Sequence, residues 1–345
     1  PEATALIFAE KRLSYQLLNR QANQLAHFLR QEGLAPKGLV GLYMDRSFEM
    51  VVSILAILKA GGAYIPLDPN IPRLRLQQIL QDTNPRFLLF AEKSDEFQAY
   101  DGHKLHLDVL KSRLEQEPAE NLSCLTTPVD LINIVYTSAS TGTPKGARIP
   151  ISAVLNRLFW MWEAYPFHTG DVLLFHKSCA LVAATWECFG GLLKGIPTLM
   201  VTRQDVLDPA ILWQKLINHD VSYVLATPAL WQEILNQAEQ HPGQWTSLRL
   251  ASTSAEPLSP QMAQRWLRQF PGVPFLNLYG ATECSSNVTV YDVRQLPSDA
   301  ARVPIGKPFA NNQIYILDKE LLPTPLGEVG EMCVAGACLA QGYHN

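Results

Sequence analysis

The stretch Leu39–Leu67 reads LVGLYMDRSFEMVVSILAILKAGGAYIPL and contains the pattern that decides the fold. Its ends, Leu39–Met44 and Ala63–Leu67, are short apolar runs typical of buried strands. Between them, Phe48–Lys59 has the length and composition of a helix, and the glycine pair that follows is typical of a helix end. This segment therefore predicts the order strand, helix, strand.

The same alternation recurs along most of the chain, with Thr185–Leu193 as another predicted helix. Alternating strands and helices favour mostly parallel sheets covered by helices. We therefore expect an α/β fold with two such lobes. The further predicted strands are Phe87–Ala91, Val172–Phe175, Thr198–Val201, Val221–Ala226 and Leu248–Ala251.

Near the N-terminus, Leu13–Arg30 predicts an amphipathic helix with Ser14 as its N-cap. Its apolar face is expected to contain Leu17, Leu18, Ala22, Leu25, Phe28 and Leu29.

The last forty or so residues differ, because short strands at Gln313–Leu317 and Glu331–Val334 are separated by turn residues. They predict a small β-rich, barrel-like region. We accordingly expect two intertwined α/β lobes carrying the ATP and acyl sites over residues 1–302, and the start of a β-rich lobe over 303–345.

Composition excludes several classes of protein. The 345 residues are 47% hydrophobic and 17% charged, the balance of a globular chain rather than a disordered one. The net charge of -4 gives no overall attraction to nucleic acid or to an anionic membrane. The N-terminus has no apolar signal-peptide core, and the six cysteines form no C-x-x-C pair. We expect a cytoplasmic protein with no nucleic-acid or membrane partner.

The strongest local pattern is Ile134–Gly146, which reads IVYTSASTGTPKG. An apolar strand leads into a loop whose backbone N–H groups and hydroxyls can surround phosphate oxygens, with Lys145 adding a positive charge. It is not a Walker loop, because G-K-[ST] is absent. The hydroxyls are those of Thr137, Ser138, Ser140 and Thr141.

This segment resembles the Y-T-S-G-S-T-G-x-P-K-G signature of the adenylate-forming superfamily, which includes nonribosomal peptide adenylation domains, acyl-CoA ligases and luciferases. LKAGGAYIPLD at Leu58–Asp68 is similar to a form typical of the peptide-synthetase branch. Further matching motifs, in the family's order, are LSYQLL at Leu13–Leu18, NLYGATE at Asn277–Glu283, PIGKP at Pro304–Pro308, GEVGEM at Gly327–Met332 and AQGY at Ala340–Tyr343.

The resemblance implies an ATP and Mg²⁺ site. Asn277 and Tyr279 would hold the adenine, Thr282 would contact the α-phosphate, and Glu283 would help to bind Mg²⁺. A flat aromatic face suits a purine, and a carboxylate suits a hard cation that already shares phosphate oxygens. Thr282, Glu283 and Lys145 are the candidate catalytic residues, and the motif glycines Gly142 and Gly280 complete the nucleotide site. Ala139 and Ala281 replace the usual Gly and Pro, which is expected to alter loop flexibility only.

The implied reaction is attack of a carboxylate on the α-phosphorus of ATP, with alignment and charge stabilisation as the catalytic effects. Peptide-synthetase domains usually carry F-D-x-S-x-W-E, whose aspartate pairs with the α-ammonium of an amino acid. Here CALVAATWE at Cys179–Glu187 places Val182 at that position, or Ala183 after a one-residue gap. By the same alignment, the acyl pocket is lined by Val182, Ala183, Trp186, Leu225, Ser252, Ser254, Leu278, Ser286 and Asn287.

These residues predict a roomy apolar pocket with a polar end, suited to an aromatic α-keto, α-hydroxy or arylalkanoic acid. The leading interpretation is an adenylation domain that loads a phosphopantetheine-bearing carrier protein. The alternatives are a free-standing acyl- or aryl-CoA ligase, an α-amino-acid-activating domain with an atypical ammonium site, and a non-catalytic nucleotide-binding relic.

Two groups expected from the resemblance are missing. The family's ribose-binding aspartate would follow the AQGY motif, beyond Asn345. The small C-terminal lobe, which carries the lysine that acts in adenylation, would come later still. We therefore expect a fragment of a longer protein, with poor turnover by itself.

Overall fold

Backbone contacts divide the chain into two units in a computed structural model, which describes residues 1–91, 97, 100–137 and 144–345. Unit 1 comprises Pro1–Ile151, Val172–Leu207 and Ala340–Asn345, and unit 2 comprises Ser152–Asp171 and Asp208–Leu339.

The first sheet of unit 1 has six strands in the order β6-β5-β3-β4-β7-β8. All neighbours pair parallel except β7 and β8, which form an antiparallel pair. Its strands are β3 (Leu39–Tyr43), β4 (Ala63–Leu67), β5 (Phe87–Phe90), β6 (His103–His106), β7 (Leu131–Thr137) and β8 (Lys145–Pro150).

Four more strands of unit 1 pair in the order β9-β10-β1-β2. The β9–β10 and β10–β1 pairs are parallel, and the β1–β2 pair is antiparallel. They are β1 (Thr4–Phe8), β2 (Lys11–Ser14), β9 (Leu173–Phe175) and β10 (Thr198–Met200). The helices of unit 1 are α1 (Tyr15–Gln31), α2 (Phe48–Ala60), α3 (Arg73–Thr83), α4 (Leu107–Leu114), α6 (Ala184–Phe189) and α7 (Arg203–Leu207).

Helix α1 begins as the sequence predicts, because the Ser14 side chain accepts a hydrogen bond from the Leu17 N–H at 3.2 Å. Five of the six residues expected on its apolar face are buried. The exception is Leu17, which is 41% exposed. Leu17 donates its N–H to the Ser14 cap and therefore belongs to the first turn of the helix. There it lies at the edge of the apolar face, which explains its exposure.

The larger sheet of unit 2 has five strands in the order β15-β14-β13-β12-β11. The three strands β11, β12 and β13 pair parallel, and β14 and β15 extend the sheet antiparallel. The strands are β11 (Tyr223–Ala226), β12 (Leu250–Thr253), β13 (Phe275–Tyr279), β14 (Thr289–Asp292) and β15 (Lys307–Pro308). The helices are α5 (Ile151–Ala164), α8 (Pro209–Asn218), α9 (Pro228–Gln240) and α10 (Pro260–Gln269).

Indole rings pack helices α9 and α10 against the sheet of unit 2. The ring centroid of Trp266 lies 5.1 Å from that of Trp231 and 4.5 Å from that of Phe275, the first residue of β13. All three side chains are fully buried. This packing fixes the position of β13, whose last residues belong to the predicted nucleotide motif.

The predicted α/β class is confirmed. The β-rich region consists of β16 (Asn312–Leu317) and β17 (Glu331–Gly336), an open antiparallel pair rather than a barrel. Within the described ranges, no helix has the length and apolar character needed to cross a bilayer.

Candidate functional site

Strand β13 separates two sets of predicted site residues. Leu225, Ser252 and Leu276 are register partners across β11, β12 and β13, so their side chains share one face of the sheet. Leu278 lies two residues after Leu276 and joins this face, whereas Asn277 and Tyr279 lie on the opposite face. The structure therefore brings three predicted acyl residues together on one face and the two predicted adenine residues on the other.

The turn after β13 is built from the predicted phosphate and metal residues. Residues Thr282–Cys284 form one turn of 3-10 helix, and the N–H of Ser285 donates to the Thr282 carbonyl at 2.9 Å. The chain then returns to the strand, where the Val288 N–H donates to the Tyr279 carbonyl at 2.7 Å. The sequence motif is thus a closed loop that presents Thr282 and Glu283, both half-buried, beside the end of the strand.

Gly280 makes this loop possible. A Cβ atom at Gly280 would lie 2.0 Å from the Ser286 carbonyl oxygen, far inside van der Waals contact. On the other side of the contact, Ser285 and Ser286 both have positive φ values, 53° and 103°. Such values are costly for residues with a side chain, and they bring the two backbone segments together.

The adenine candidates differ in exposure. Tyr279 is 39% exposed, so part of this residue is accessible from solvent. Asn277 is buried, and its Nδ2 donates to the Pro304 carbonyl at 2.8 Å, which ties β13 to the PIGKP motif. Among the described residues, no group of three or more His, Cys, Asp or Glu side chains is arranged to hold a metal. The Mg²⁺ site predicted at Glu283 would therefore need phosphate and water oxygens as its further ligands.

In unit 1, the predicted phosphate loop connects β7 to β8. Ser138, Ser140, Thr141 and Gly142 lie outside the described residues. At the base of the loop, the Thr137 Oγ1 donates to the Lys145 carbonyl at 3.5 Å, and the Lys145 side chain is exposed. The Lys145 Nζ lies 5.3 Å from the centre of the Tyr343 ring, within the range of a cation–π contact.

Residues 341–344 run beside β8 and extend the hairpin that carries the loop. The Arg148 N–H donates to the Gly342 carbonyl at 3.0 Å, and the His344 N–H donates to the Gly146 carbonyl at 2.8 Å. The AQGY motif therefore supports β8, the strand that follows the predicted phosphate loop. The resemblance located this motif but gave it no role.

The predicted acyl residues of unit 1 lie at the start of α6. Val182 and Trp186 are buried, and Ala183 is half-buried. The Thr185 Oγ1 donates to the Val182 carbonyl at 2.7 Å, which fixes the backbone at the position that the resemblance aligns with the family's aspartate. One motif residue supports this segment, since the Ser178 hydroxyl donates to the carboxylate of Asp68, the last residue of LKAGGAYIPLD.

The buried side chain of Glu187 binds the backbone just before this segment, at His176 and Lys177. Its side chain is fully buried, and its Oε2 accepts the N–H groups of His176 at 3.0 Å and Lys177 at 2.8 Å. The Lys177 Nζ lies 3.5 Å from Oε1. Burial raises the pKa of Glu187, and the Lys177 ammonium and the two N–H groups oppose that shift. Burial also lowers the pKa of His176 well below its usual value, aided by the charges of Lys177 and Arg46, so the imidazole is neutral.

The predicted acyl residues of unit 2 are largely buried. Leu225 and Leu278 supply apolar surface, and the Ser252 Oγ donates to the Val224 carbonyl at 3.3 Å. Ser254 is buried as well, and the Ser286 Oγ donates to the Asn287 Oδ1 at 3.2 Å. Sequence reasoning missed Arg157, whose Nη2 donates to the same Asn287 oxygen at 3.4 Å. Only the position of an arginine on the inner face of α5 could have indicated it.

Comparisons with known proteins agree with this geometry. A family profile described as AMP-binding enzyme matches residues 1–344. Zwittermicin A synthase ZmaJ of Bacillus cereus is 36% identical over 350 residues, covering 100% of this chain and 66% of that protein. Tyrocidine synthase 1 of Brevibacillus parabrevis is 33% identical over 348 residues, covering 100% of this chain and 31% of the synthase.

Solved structures give the same result. The nonribosomal peptide synthetase FmoA3 (S1046A) in its AMPPNP-bound form superposes with a TM-score of 0.91 at 27% identity, covering 100% of this chain and 37% of that one. The chain belongs to the AMP-binding enzyme family. Within it, the chain is similar over its full length to parts of nonribosomal peptide synthetases, and it is the core of an adenylation domain.

We predict that Gly280→Ala disrupts the loop that carries Thr282 and Glu283. The added Cβ would overlap the Ser286 carbonyl, and overpacking of this kind costs about 1–3 kcal/mol. Thermal unfolding should shift to lower temperature and the KM for ATP should rise. Gly272→Ala is the matched control, because no atom lies within 4 Å of a Cβ at that glycine. Equal behaviour of the two variants would contradict this account of Gly280.

We also predict that Glu187→Ala is strongly destabilising. It leaves the buried Lys177 without its carboxylate, and breaking a buried pair in this way costs about 3–5 kcal/mol. The matched control is Glu239→Ala, which removes a carboxylate that is 45% exposed and paired with Arg265 at 2.8 Å, a loss of about 1 kcal/mol or less. Urea unfolding of both variants measures the difference, and similar midpoints would refute the role given to Glu187.

Proposed function

We propose that the chain activates a carboxylic acid with ATP. A carboxylate oxygen attacks the α-phosphorus and forms the acyl-phosphate bond. The bond from the α-phosphorus to its bridging oxygen breaks, and pyrophosphate leaves with that electron pair. The observation that supports this best is the division of β13 into an acyl face and an adenine face, followed by the Gly280 loop with Thr282 and Glu283.

The residues have distinct roles in this proposal. Tyr279 stacks on the adenine and Asn277 lies beside it, while Thr282 contacts the α-phosphate. Lys145 neutralises charge on the phosphates, and the loop hydroxyls and N–H groups position them. Glu283 would hold Mg²⁺, which supplies neutralisation of phosphate charge when bound. A half-buried carboxylate within a turn fits such a shared site.

We further propose that the acid is aromatic and lacks an α-amine. Val182 replaces the usual aspartate, and Ala183 supplies no charge either. The next carboxylate in sequence, Glu187, already accepts two backbone N–H groups and faces Lys177. An ammonium group brought next to Val182 would therefore lose water without gaining a counter-ion from Val182, Ala183 or Glu187.

One observation favours a second candidate. A form of FmoA3 with α-methyl-L-serine-AMP bound superposes with a TM-score of 0.90, so an amino acid activated through an atypical ammonium site is the competing substrate class.

We propose that the activated acyl group is passed to the thiol of a phosphopantetheine-bearing carrier protein. Similarity to synthetases supports this over a free-standing acyl- or aryl-CoA ligase, the alternative with the same first half-reaction. The chain spans 66% of one relative and 31% of the other, so neither relative's whole activity applies directly. Retention of Lys145, Thr282 and Glu283 argues against a non-catalytic relic.

We predict that Glu283→Gln in the full-length protein lowers ATP–pyrophosphate exchange by at least about tenfold, since the amide keeps the shape of the side chain and loses its charge for Mg²⁺. Raising the Mg²⁺ concentration should recover part of the rate. The companion variant Lys145→Ala should slow exchange without changing which acid is preferred. Unchanged exchange in Glu283→Gln would remove Glu283 from the metal site.

The substrate assignment predicts a preference for acids without an amine. Exchange with phenylpyruvate, phenyllactate and 4-hydroxyphenylpyruvate should exceed exchange with phenylalanine and tyrosine. An unmatched buried charge costs about 3–5 kcal/mol, which corresponds to roughly a hundred- to several-thousand-fold. Val182→Asp should move the preference toward the amino acids. A wild-type preference for phenylalanine or tyrosine would instead establish the competing class.

A further inference from the structure

Arg157 is a buried cation in unit 2 that lies outside the predicted nucleotide and acyl residues. It belongs to α5 and is only 4% exposed. Its guanidinium carbon lies 5.4 Å from the centre of the Trp160 ring and 5.9 Å from that of Phe309. These two rings stack on each other at 4.4 Å, so the arginine is held against a rigid aromatic surface.

The same helix is anchored next to this arginine. The Asn156 Nδ2 donates to the Ala310 carbonyl at 3.1 Å, and the Asn156 Oδ1 accepts from the Asn311 Nδ2 at 2.8 Å. Burial lowers the pKa of Arg157 to about 9, which leaves the guanidinium protonated at neutral pH. Arg157 is therefore a fixed group that can only donate hydrogen bonds.

Two donors converge on one amide oxygen of the acyl pocket. The Asn287 Oδ1 accepts from the Arg157 Nη2 at 3.4 Å and from the Ser286 Oγ at 3.2 Å. If the amide were rotated by 180°, its NH₂ group would face the guanidinium, donor against donor. The arginine therefore selects one of the two orientations of the Asn287 side chain.

The selected orientation determines what Asn287 can offer to a ligand. Its oxygen is occupied, and no hydrogen bond runs from its Nδ2 to any residue in the described ranges. The NH₂ group is thus the part of the amide left for an incoming acid. A donor at this point favours a ligand oxygen that accepts, and it disfavours a ligand amine.

We propose that Arg157 is a positioning residue for substrate choice, which makes Asn287 a hydrogen-bond donor and so selects acids whose aryl group carries an acceptor oxygen. This inference rests on the proposed function, because it requires that Asn287 lines the acyl pocket. The inference adds Arg157 to the nine residues predicted to line the pocket. It also specifies that the polar end of the pocket recognises a hydrogen-bond acceptor on the acid.

The test compares two acids in ATP–pyrophosphate exchange with the full-length protein. In 4-methoxyphenylpyruvate the ring substituent is an acceptor, and in 4-aminophenylpyruvate it is chiefly a donor. Wild type should prefer the methoxy acid in kcat/KM by about ten- to a hundredfold, the usual effect of a buried donor left unmatched. Asn287→Asp replaces the donor by an acceptor that still pairs with Arg157, and it should reverse the preference.

Arg157→Met should bring the ratio of the two acids close to one, because the amide can then rotate, with the KM for ATP changed less than about twofold. Arg157→Lys, which restores a cationic donor, should recover most of the ratio. Arg265→Met is the matched control, since Arg265 also donates to an asparagine oxygen, that of Asn236 at 2.9 Å, on the surface of unit 2. That variant should keep the wild-type ratio.

The outcomes distinguish a failure of the role proposed for Arg157 from a failure of the proposed function. A wild type that exchanges with the methoxy acid but shows the same ratio in Arg157→Met and Asn287→Asp would overturn this inference and leave the proposed function standing. A wild type that activates no acid overturns the proposed function and this inference with it. Thermal unfolding of each variant identifies any that fail to fold, and Asn287→Asp decides the question if Arg157→Met is one of them.

Discussion

The fully buried carboxylate of Glu187 is the constraint on which the predicted acyl segment of unit 1 depends. A carboxylate removed from water requires several partners, and here two consecutive backbone N–H groups and one ammonium supply them. The cost of burying the charge is therefore offset only when residues 176 and 177 adopt one conformation. This conformation fixes the starting point of the segment that continues to Val182 and Trp186.

A second carboxylate acts on the same segment from another part of unit 1. Asp68 follows a strand of the six-stranded sheet and accepts the hydroxyl of Ser178. A family motif without evident chemistry of its own, LKAGGAYIPLD, thus supports the substrate segment 110 residues away. Support of this kind holds the backbone of the segment independently of the side chain at Val182.

The sequence predicted the regular elements well and long-range contacts poorly. The bounds of Ala63–Leu67, the start of Phe48–Ala60 and the Ser14 cap could be predicted because periodicity, glycines and caps are local properties. The burial of Leu17 was overestimated, since periodicity alone does not locate the edge of an apolar face. The Arg157–Asn287 contact joins residues 130 positions apart, and the positive φ of Ser286 depends on its packing against Gly280. Neither leaves a local pattern.

The two faces of β13 also bear on how such domains can change over evolutionary time. Because side chains alternate along a strand, a substitution at Leu278 alters the acyl face and leaves its neighbours Asn277 and Tyr279 oriented as before. An insertion or deletion of one residue would instead exchange the faces and place the predicted adenine residues among the predicted acyl residues. Drift in substrate preference can therefore proceed by replacement of single residues, while the length of this strand stays constant.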